Sequence, residues 1–95
     1  MKENTYESAY KAYVTVQAKF FPDGRPPVPT ELWWEDGRHY EVDRVLDIRP
    51  AASLKAGGLG IRYTCKVLGK TVCLFFEDEN SRWFMERKDP KYDSI

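Results

Sequence analysis

The residues best suited to covalent chemistry are two cysteines and one histidine. Cys65 and Cys73 are the only thiols, and His39 is the only imidazole, in a chain of 95 residues. A catalytic thiol needs a histidine within hydrogen-bonding reach and a third group that orients it. The hairpins assigned below place the two thiols on opposite faces of a sheet and put His39 on another hairpin, opposite Trp33. We therefore expect a non-enzymatic protein without catalytic residues, and two cysteines are too few for a structural zinc site.

Two glycine-containing motifs are candidates for phosphate binding. Gly69-Lys70-Thr71 is similar to the end of a P-loop, but Thr64 occupies the position of that motif's first glycine. Gly57-Gly58-Leu59-Gly60 could form an anion-binding nest of backbone N–H groups. It fails the dinucleotide fingerprint because Tyr63 stands where a third glycine is required. A helix stop followed by a flexible lead into a strand is the favoured interpretation, and we expect no cofactor.

The charges balance overall but not locally. Fifteen Lys and Arg residues match fifteen Asp and Glu residues, which argues against a polybasic, histone-like binder. Residues 44–70 nonetheless hold six basic residues against one acidic residue, whereas residues 31–43 hold five acidic residues against one basic residue. The basic segment around the Gly-rich loop could contact phosphates, with Tyr63 or Trp33 stacking on bases if either ring is exposed.

The favoured interpretation of the basic segment is a solvated face whose charges pair across strands, with Arg62 facing Glu77 and Arg82. The candidate anion or nucleic-acid contacts are Arg44, Arg49, Lys55, Gly57, Gly58, Gly60, Arg62 and Lys66.

Aromatic residues mark a candidate protein-contact surface. On the second face of the last three strands, Phe75 should lie beside Phe84, with Cys73 and Thr64 nearby. An apolar patch on the outside of a sheet is typical of a contact surface. It could equally be a second core layer, covered by the N-terminal segment or by a helix near Leu54. The candidate protein contacts are Trp33, His39, Phe75 and Phe84.

Two further motifs are weak candidates for a binding site. Glu77-Asp78-Glu79 should be solvated at a hairpin tip, and it lacks the regularly spaced ligands and glycine of a calcium loop, so no metal is expected. Arg25-Pro26-Pro27-Val28-Pro29 has the spacing of a polyproline ligand but is needed as a stiff connector.

The elements that position these residues are strands, because every strong pattern has period two. Val14, Val16, Ala18 and Phe20 alternate with polar residues in the first strand, and Phe21-Pro22-Asp23-Gly24 is a β-turn. A second strand covers residues 30–34. A three-residue loop ending at Gly37 then sets Leu32 opposite Tyr40, whereas a two-residue loop would set it against Glu41. The first geometry is favoured because it puts one apolar set on one face: Leu32, Trp34, Tyr40, Val42, Leu46 and Ile48.

The second half of the chain predicts a short helix and a meander. Residues 50–57 begin with proline and end with glycine, which favours a helical turn. Ile61, Tyr63, Cys65 and Val67 then share one strand face. A turn at Gly69-Lys70 predicts the pairs Val67–Val72, Cys65–Leu74 and Tyr63–Phe76, and a loop over residues 78–81 places Trp83 beside Phe76 and Arg82 opposite Glu77.

The fold class is therefore mainly β: a small antiparallel barrel or strongly curved sheet of about six strands, with one short helix between strands three and four. Residues 1–12 form an N-terminal segment, helical or disordered, with Tyr6, Tyr10 and Tyr13 at helical spacing. Residues 13–87 form one β domain, and residues 88–95 a frayed polar tail. The longest apolar run is too short for a membrane span and the first residues do not resemble a signal peptide, so a cytoplasmic location is expected.

Several stretches resemble a group of small uncharacterised proteins from clostridia and related Gram-positive bacteria. The resemblance lies in residues 34–47 (WEDGRHYEVDRVLD), 57–65 (GGLGIRYTC), 74–78 and 82–84, and it extends over most of the chain from Val14 to Glu86. It implies an intact bacterial cytoplasmic domain and carries no activity, ligand or catalytic residue.

The sequence therefore predicts a binding module. A protein-interaction or regulatory role, with self-association as one form of it, is the leading hypothesis. The alternative is a nucleic-acid-binding small β-barrel that uses the basic Gly-rich loop. No membrane partner is expected.

Overall fold

The computed structural model describes residues 10–52 and 59–87, which form one antiparallel sheet. Its seven strands are β1 Lys11–Lys19, β2 Val28–Trp33, β3 His39–Glu41, β4 Arg44–Ala52, β5 Leu59–Val67, β6 Lys70–Glu77 and β7 Arg82–Glu86. Their order in the sheet is β3-β2-β1-β7-β6-β5-β4. The sheet curls into a half-barrel, which confirms the predicted fold class. Within the described ranges, no helix has the length and apolar character to cross a membrane.

Two residues connect the opposite edges of the sheet. The Val42 N–H donates to the Thr30 carbonyl of β2 at 2.9 Å, and the next N–H, that of Asp43, donates to the Lys66 carbonyl of β5 at 2.8 Å. The chain thus leaves one edge and enters the other within a single step. This corner divides the predicted third strand into β3 and β4, and the sheet must curl for both edges to meet there.

The inner face of the curl carries the main core. The alternation of apolar residues along each strand turns them to this side, as a half-buried sheet requires. Its buried members are Ala12, Val14, Leu32, Trp34, Tyr63, Cys65, Val67, Leu74, Phe76, Trp83 and Met85.

The first strand begins and ends differently from the expectation. It starts at Lys11, and Tyr13 pairs with Phe84 of β7, so the helical alternative is wrong at Tyr13. At the other end the inward alternation stops before Phe20, whose side chain is 68% exposed. The predicted turn after it is confirmed, since the Gly24 N–H reaches the Phe21 carbonyl at 3.4 Å.

Proline does not keep the connector out of the sheet. β2 begins at Val28, and Pro29 lies opposite Ala18, where an irregularity between Gln17 and Ala18 shifts the register. Such an irregularity accommodates a residue that lacks a backbone N–H. The extended connector therefore ends at Pro27, two residues earlier than predicted.

The β2–β3 hairpin has the predicted geometry. Leu32 lies opposite Tyr40, and Gly37 adopts a φ of 92°. The Trp34 N–H donates to the Arg38 carbonyl at 2.8 Å and the Gly37 N–H to the Trp34 carbonyl at 2.9 Å. The three-residue loop is confirmed.

β4 departs most from the expectation. A bulge between Val45 and Asp47 shifts the register, so Val45 packs against the core while Leu46 and Ile48 are 46% and 38% exposed. The predicted face is therefore wrong for Leu46, whose place Val45 takes, whereas Ile48 lies opposite Tyr63 on the inner face but stays partly exposed. Residues 50–52 continue β4 and pair with β5, so the predicted helix does not begin at Pro50. Its remaining residues, 53–57, lie outside the described ranges.

The β5–β6 register differs from the prediction by two residues. The turn residues are Leu68 and Gly69, with φ values of 52° and 74°, as a type I′ turn requires. Tyr63 therefore lies opposite Leu74 and not Phe76. An even shift preserves the faces, so Cys65 and Cys73 do point to opposite sides.

The β6–β7 register, with Phe76 opposite Trp83 and Glu77 opposite Arg82, is confirmed. The predicted N-terminal segment, apart from Tyr10 and the first two residues of β1, lies outside the described residues, as does the predicted polar tail.

Candidate functional site

The outer face of the β4–β5 hairpin carries two pairs of like charges. Arg44 lies directly opposite Lys66, and Arg49 lies directly opposite Arg62. Like charges directly opposite each other destabilise an antiparallel pair. These four residues therefore contribute nothing favourable to the ladder that holds them together, which makes them the strongest candidates for a function.

One carboxylate lies between the two pairs. Asp47 Oδ2 accepts from Arg49 Nε at 2.7 Å, and Oδ1 accepts from the same guanidinium at 3.1 Å. This hydrogen-bonded pairing holds the pKa of Asp47 below its usual value, with a smaller contribution from the charge of Arg62. Across residues 10–52 and 59–87, Arg44, Arg62 and Lys66 form no ion pair. Three cations on this face thus have no counter-charge of their own.

Arg62 does not have the partners expected from the sequence. It lies opposite Phe75 in β6. The Glu77 carboxylate instead accepts hydrogen bonds from Lys11 Nζ at 3.4 Å and from the Tyr13 hydroxyl at 3.2 Å. The interpretation of the basic segment as a face neutralised across strands is therefore wrong for Arg62. Its Nε is buried and has no hydrogen-bond partner, so the guanidinium is partly desolvated without compensation.

A surface cavity of about 470 Å³ adjoins the first like-charge pair. It is lined by Asp43, Arg44, Lys66 and Gly69. Two cations and a glycine backbone fit an anionic group, while Asp43 adds one opposing carboxylate. The cavity lies close to the corner where β4 begins, so the short link between the sheet edges fixes its position.

The Gly-rich loop contributes less than the sequence suggested. Lys55, Gly57 and Gly58 lie outside the described residues. Gly60 belongs to β5, where a Cβ would come within 2.5 Å of the Phe76 carbonyl oxygen. Close packing of two strands therefore explains this glycine without an anion-binding nest.

Phe75 and Phe84 form a second, smaller core layer. Their rings stack at 4.9 Å with an angle of 7° and are 3% and 0% exposed. Tyr10 and Cys73 pack against them, and Lys11 Nζ lies 4.6 Å above the Phe84 ring. Of the two interpretations of this patch, the covered layer is correct, and neither ring is available to a partner.

Trp33 and His39 lie on the outer face of β2–β3, directly opposite each other as predicted. Their rings stack at 4.8 Å, and His39 Nε2 is 2.6 Å from Glu31 Oε1. The imidazole is thus held between an indole and a carboxylate on an accessible hairpin.

The remaining chemistry-bearing side chains do not converge. Burial, with a smaller contribution from the neighbouring Cys73, raises the pKa of Cys65 to about 12, which keeps it a thiol at neutral pH. His39 is bonded to Glu31 within the β2–β3 hairpin, whereas Cys65 and Cys73 belong to the β5–β6 hairpin. Among the described residues, no group of three or more His, Cys, Asp or Glu side chains is placed to hold a metal ion.

The acidic hairpin tip borders a cavity of about 630 Å³, whose apolar wall includes Pro50 and Ile61. None of the three cations without an ion pair, Arg44, Arg62 and Lys66, lines this cavity. It adds no chemistry to the like-charge pairs.

Two buried polar atoms could not be anticipated from the sequence. Tyr63 is fully buried and its hydroxyl lacks a hydrogen-bond partner, as does the Trp34 indole N–H. Burial is the main reason that the pKa of Tyr63 rises to about 12. The expectation that Tyr63 could stack on a base is therefore wrong. Period-two alternation places such residues inside, but it does not reveal whether the polar atom finds a partner.

Comparison with known proteins finds no matching family model, no matching curated protein and no matching solved structure.

Proposed function

We propose that this chain is a non-enzymatic module that binds the phosphate backbone of nucleic acid through the outer face of β4–β5. The observation that carries the proposal is the direct opposition of Arg44 to Lys66 and of Arg49 to Arg62. A polyanion would relieve the repulsion within both pairs at once. Phosphate contacts supply affinity without reading sequence. A cytoplasmic location is part of the proposal.

The spacing of the two pairs favours a polyanion over a single small anion. Lys66 and Arg62 are four residues apart on β5, so the pairs are about 13 Å apart at the usual rise of a strand. One phosphate cannot reach both pairs, whereas a nucleic-acid strand presents a row of them. No exposed aromatic ring of the described residues on β4–β5 is available for base stacking, so the binding should be independent of sequence.

The test is a fluorescence-anisotropy titration with labelled oligonucleotides over a range of salt concentrations. Neutralising about four phosphates predicts that log K falls against log salt with a slope of about −3 to −4. Arg44→Glu with Lys66→Glu should remove binding while the circular dichroism spectrum stays unchanged. Arg25→Glu with Arg38→Glu is the matched control, because it changes the net charge equally in the β1–β2 and β2–β3 connections, outside β4–β5, where each arginine pairs with a nearby aspartate.

Two results would contradict the proposal. One is an affinity that the control pair lowers as much as the site pair, which would mean that net charge alone governs binding. The other is the absence of binding at low salt.

A second candidate function has its own observation. The stacked Trp33 and His39, with Glu31 on the imidazole, form an accessible platform on β2–β3. Aromatic residues of this kind anchor protein interfaces, so a protein partner is the second proposal. Trp34 and Trp83 are buried, and the outer-face Trp33 should therefore dominate any change in tryptophan fluorescence when such a partner binds. A partner whose affinity survives Trp33→Ala would exclude this platform.

A further inference from the structure

The free edge of β4 is the longest unpaired backbone in the described sheet. β4 spans nine residues and pairs only with β5, whereas the other edge strand, β3, spans three. An edge strand presents a row of unpaired N–H and C=O groups to which another strand can add. Beyond the bulge, residues 47–52 form a regular ladder with β5. Their side chains therefore alternate faces in the ordinary way.

We propose that a second copy of this chain pairs with β4 in antiparallel fashion, about a two-fold axis that passes through Ile48. In this register Asp47 lies opposite Arg49 of the second copy, and Arg49 lies opposite the second copy's Asp47. Both contacts fall on the outer face, where Asp47 and Arg49 face Thr64 and Arg62 of β5. Ile48 meets Ile48 on the inner face.

Symmetry and charge select this register among its neighbours. A two-fold axis perpendicular to the sheet preserves the faces, so it must pass through a residue and not between two residues. An axis through Asp47 would set two carboxylates directly opposite each other. An axis through Arg49 would do the same with two guanidinium groups. Only the axis through Ile48 pairs opposite charges, and it does so twice.

The side chains at this edge are exposed enough to make the exchange. Asp47 and Arg49 already pair within one chain, with side chains 37% and 60% exposed. The same groups can therefore turn to the second copy without leaving a buried charge behind. Ile48 and Leu46 are two of the five exposed large apolar side chains in the described ranges. Covering Ile48 adds apolar contact at the two-fold axis.

The two irregularities of β4 limit the pairing and do not prevent it. Pro50 has no N–H to donate, and the bulge between Val45 and Asp47 bends the strand on the other side of Ile48. Both devices discourage extended edge-to-edge addition. What remains is a short window around Ile48, so we expect a weak dimer and no filament.

Such a dimer would join the two cationic outer faces into one surface. Antiparallel pairing keeps the outer faces on the same side, so Arg44, Arg49, Arg62 and Lys66 of each copy become continuous with those of the other. Dimerisation stands independently of the proposed function, since its geometry requires no nucleic acid.

The decisive experiment uses charge reversal and mixing, measured by sedimentation equilibrium without nucleic acid. Asp47→Arg and Arg49→Asp each place like charges across the two-fold axis, so each variant alone should associate roughly tenfold more weakly or worse. An equimolar mixture restores opposite charges in the heterodimer and should recover wild-type association. The mixture distinguishes the interface from the internal Asp47–Arg49 pair, because that pair is lost in both variants and mixing cannot restore it.

A cysteine variant tests the register separately. Ile48→Cys in a Cys73→Ser background should form a disulfide-linked dimer on mild oxidation, because directly opposed residues lie within disulfide reach. Leu68→Cys in the same background is the matched control, since Leu68 is 69% exposed at the β5–β6 turn.

Three results would overturn the inference: a wild-type chain that stays monomeric at millimolar concentration, a mixture no more associated than its components, or equal crosslinking of the two cysteine variants. Nucleic-acid binding by a strictly monomeric chain would overturn the dimer and leave the proposed function intact. A dimer that binds no oligonucleotide would contradict the proposed function and leave the dimer intact.

Discussion

Two parts of the same outer sheet face treat charge in opposite ways. On β1, β6 and β7, Glu77 is 13% exposed and lies within 4 Å of both Lys11 and Arg82. Those cations also cover aromatic rings, Lys11 over Phe84 at 4.6 Å and Arg82 over Tyr13 at 4.1 Å. On β4–β5, cations face cations across the ladder. The first region uses its charges to seal a core layer, while in the second only Arg49 has a counter-charge, that of Asp47, and Arg44, Arg62 and Lys66 form no ion pair within the described ranges.

This difference separates stabilising charges from charges that are available for binding. A residue in the first region should cost stability when it is removed. A residue in the second should cost affinity and no stability. The following variants test that division, beginning with the largest expected effect.

Phe84→Ala should lower the free energy of unfolding by about 3–5 kcal/mol, because it empties the centre of the sealed layer. Urea titration followed by circular dichroism measures the loss. Phe20→Ala is the control, since Phe20 is 68% exposed and should cost less than about 1 kcal/mol. Equal losses for the two variants would mean that the second layer contributes no packing.

Glu77→Gln should cost about 1–3 kcal/mol, because the neutral amide leaves Lys11 and Arg82 without the carboxylate they share. Glu41→Gln makes the same chemical change at an exposed residue of β3 and should have little effect. A Glu77→Gln variant as stable as the wild type would show that this cluster is no more structural than the like-charge pairs.

The inner-face residues of β5, Tyr63 and Cys65, should stabilise the fold, in contrast to the cations on its outer face. The dependence of stability on pH in the alkaline range tests this. Burial raises the pKa of Tyr63 from 10.0 to about 12 and that of Cys65 from 9.0 to about 12. Both groups ionise more readily in the unfolded chain, so their stabilising contribution is complete below about pH 9 and is lost as the pH rises towards 12.

Tyr63→Phe removes one of these titrations together with a buried hydroxyl that has no partner. We expect a gain of about 1 kcal/mol at neutral pH and a shallower alkaline loss, measured by urea titration between about pH 8 and about pH 11. A destabilised variant at neutral pH would mean that the hydroxyl is satisfied after all.

Arg44→Glu should change the free energy of unfolding least of these variants, but it should raise stability where the variants in the first region lower it. It converts a like-charge pair with Lys66 into an opposite-charge pair, so the fold should gain about 0.2–1 kcal/mol. The same change should weaken oligonucleotide binding, because a phosphate contact is replaced by a repulsive charge. Arg44→Gln should fall between wild type and Arg44→Glu in both measurements. A variant that loses stability and affinity together would erase the contrast between the two regions.

The sequence revealed the fold where local chemistry decides it. Period-two alternation located the strands and faces of β5, β6 and β7, and Gly37 identified the β2–β3 loop. It failed where a long-range choice competes with a local one. Residues 50–52 look like a helix start, yet pairing with β5 makes them strand. Simple alternation puts Leu46 on the buried face with Ile48, but the bulge turns Val45 to that face and leaves Leu46 exposed.

The candidate site was only half visible for the same reason. Arg44, Arg49, Arg62 and Lys66 were apparent from their uneven distribution along the chain. Which of them oppose each other depends on the β4–β5 register, and the bulge sets that register. Arg62 was assigned to Glu77 because the β5–β6 turn was placed at Gly69-Lys70, one residue too late. No local signal in the sequence shows whether Glu77 of β6 pairs with a cation of β5 or with one of β1.

The pairing of β1 with β7 has a consequence for how fast the chain folds. Lys11 lies beside Glu86, and the Arg87 N–H donates to the Tyr10 carbonyl at 2.8 Å, so the middle of the sheet joins residues separated by most of the described chain. The conformational entropy lost in closing so long a loop must be spent before the contacts between β1 and β7 can stabilise the chain. Folding should therefore take milliseconds to seconds, with the hairpins forming first and the central seam closing last.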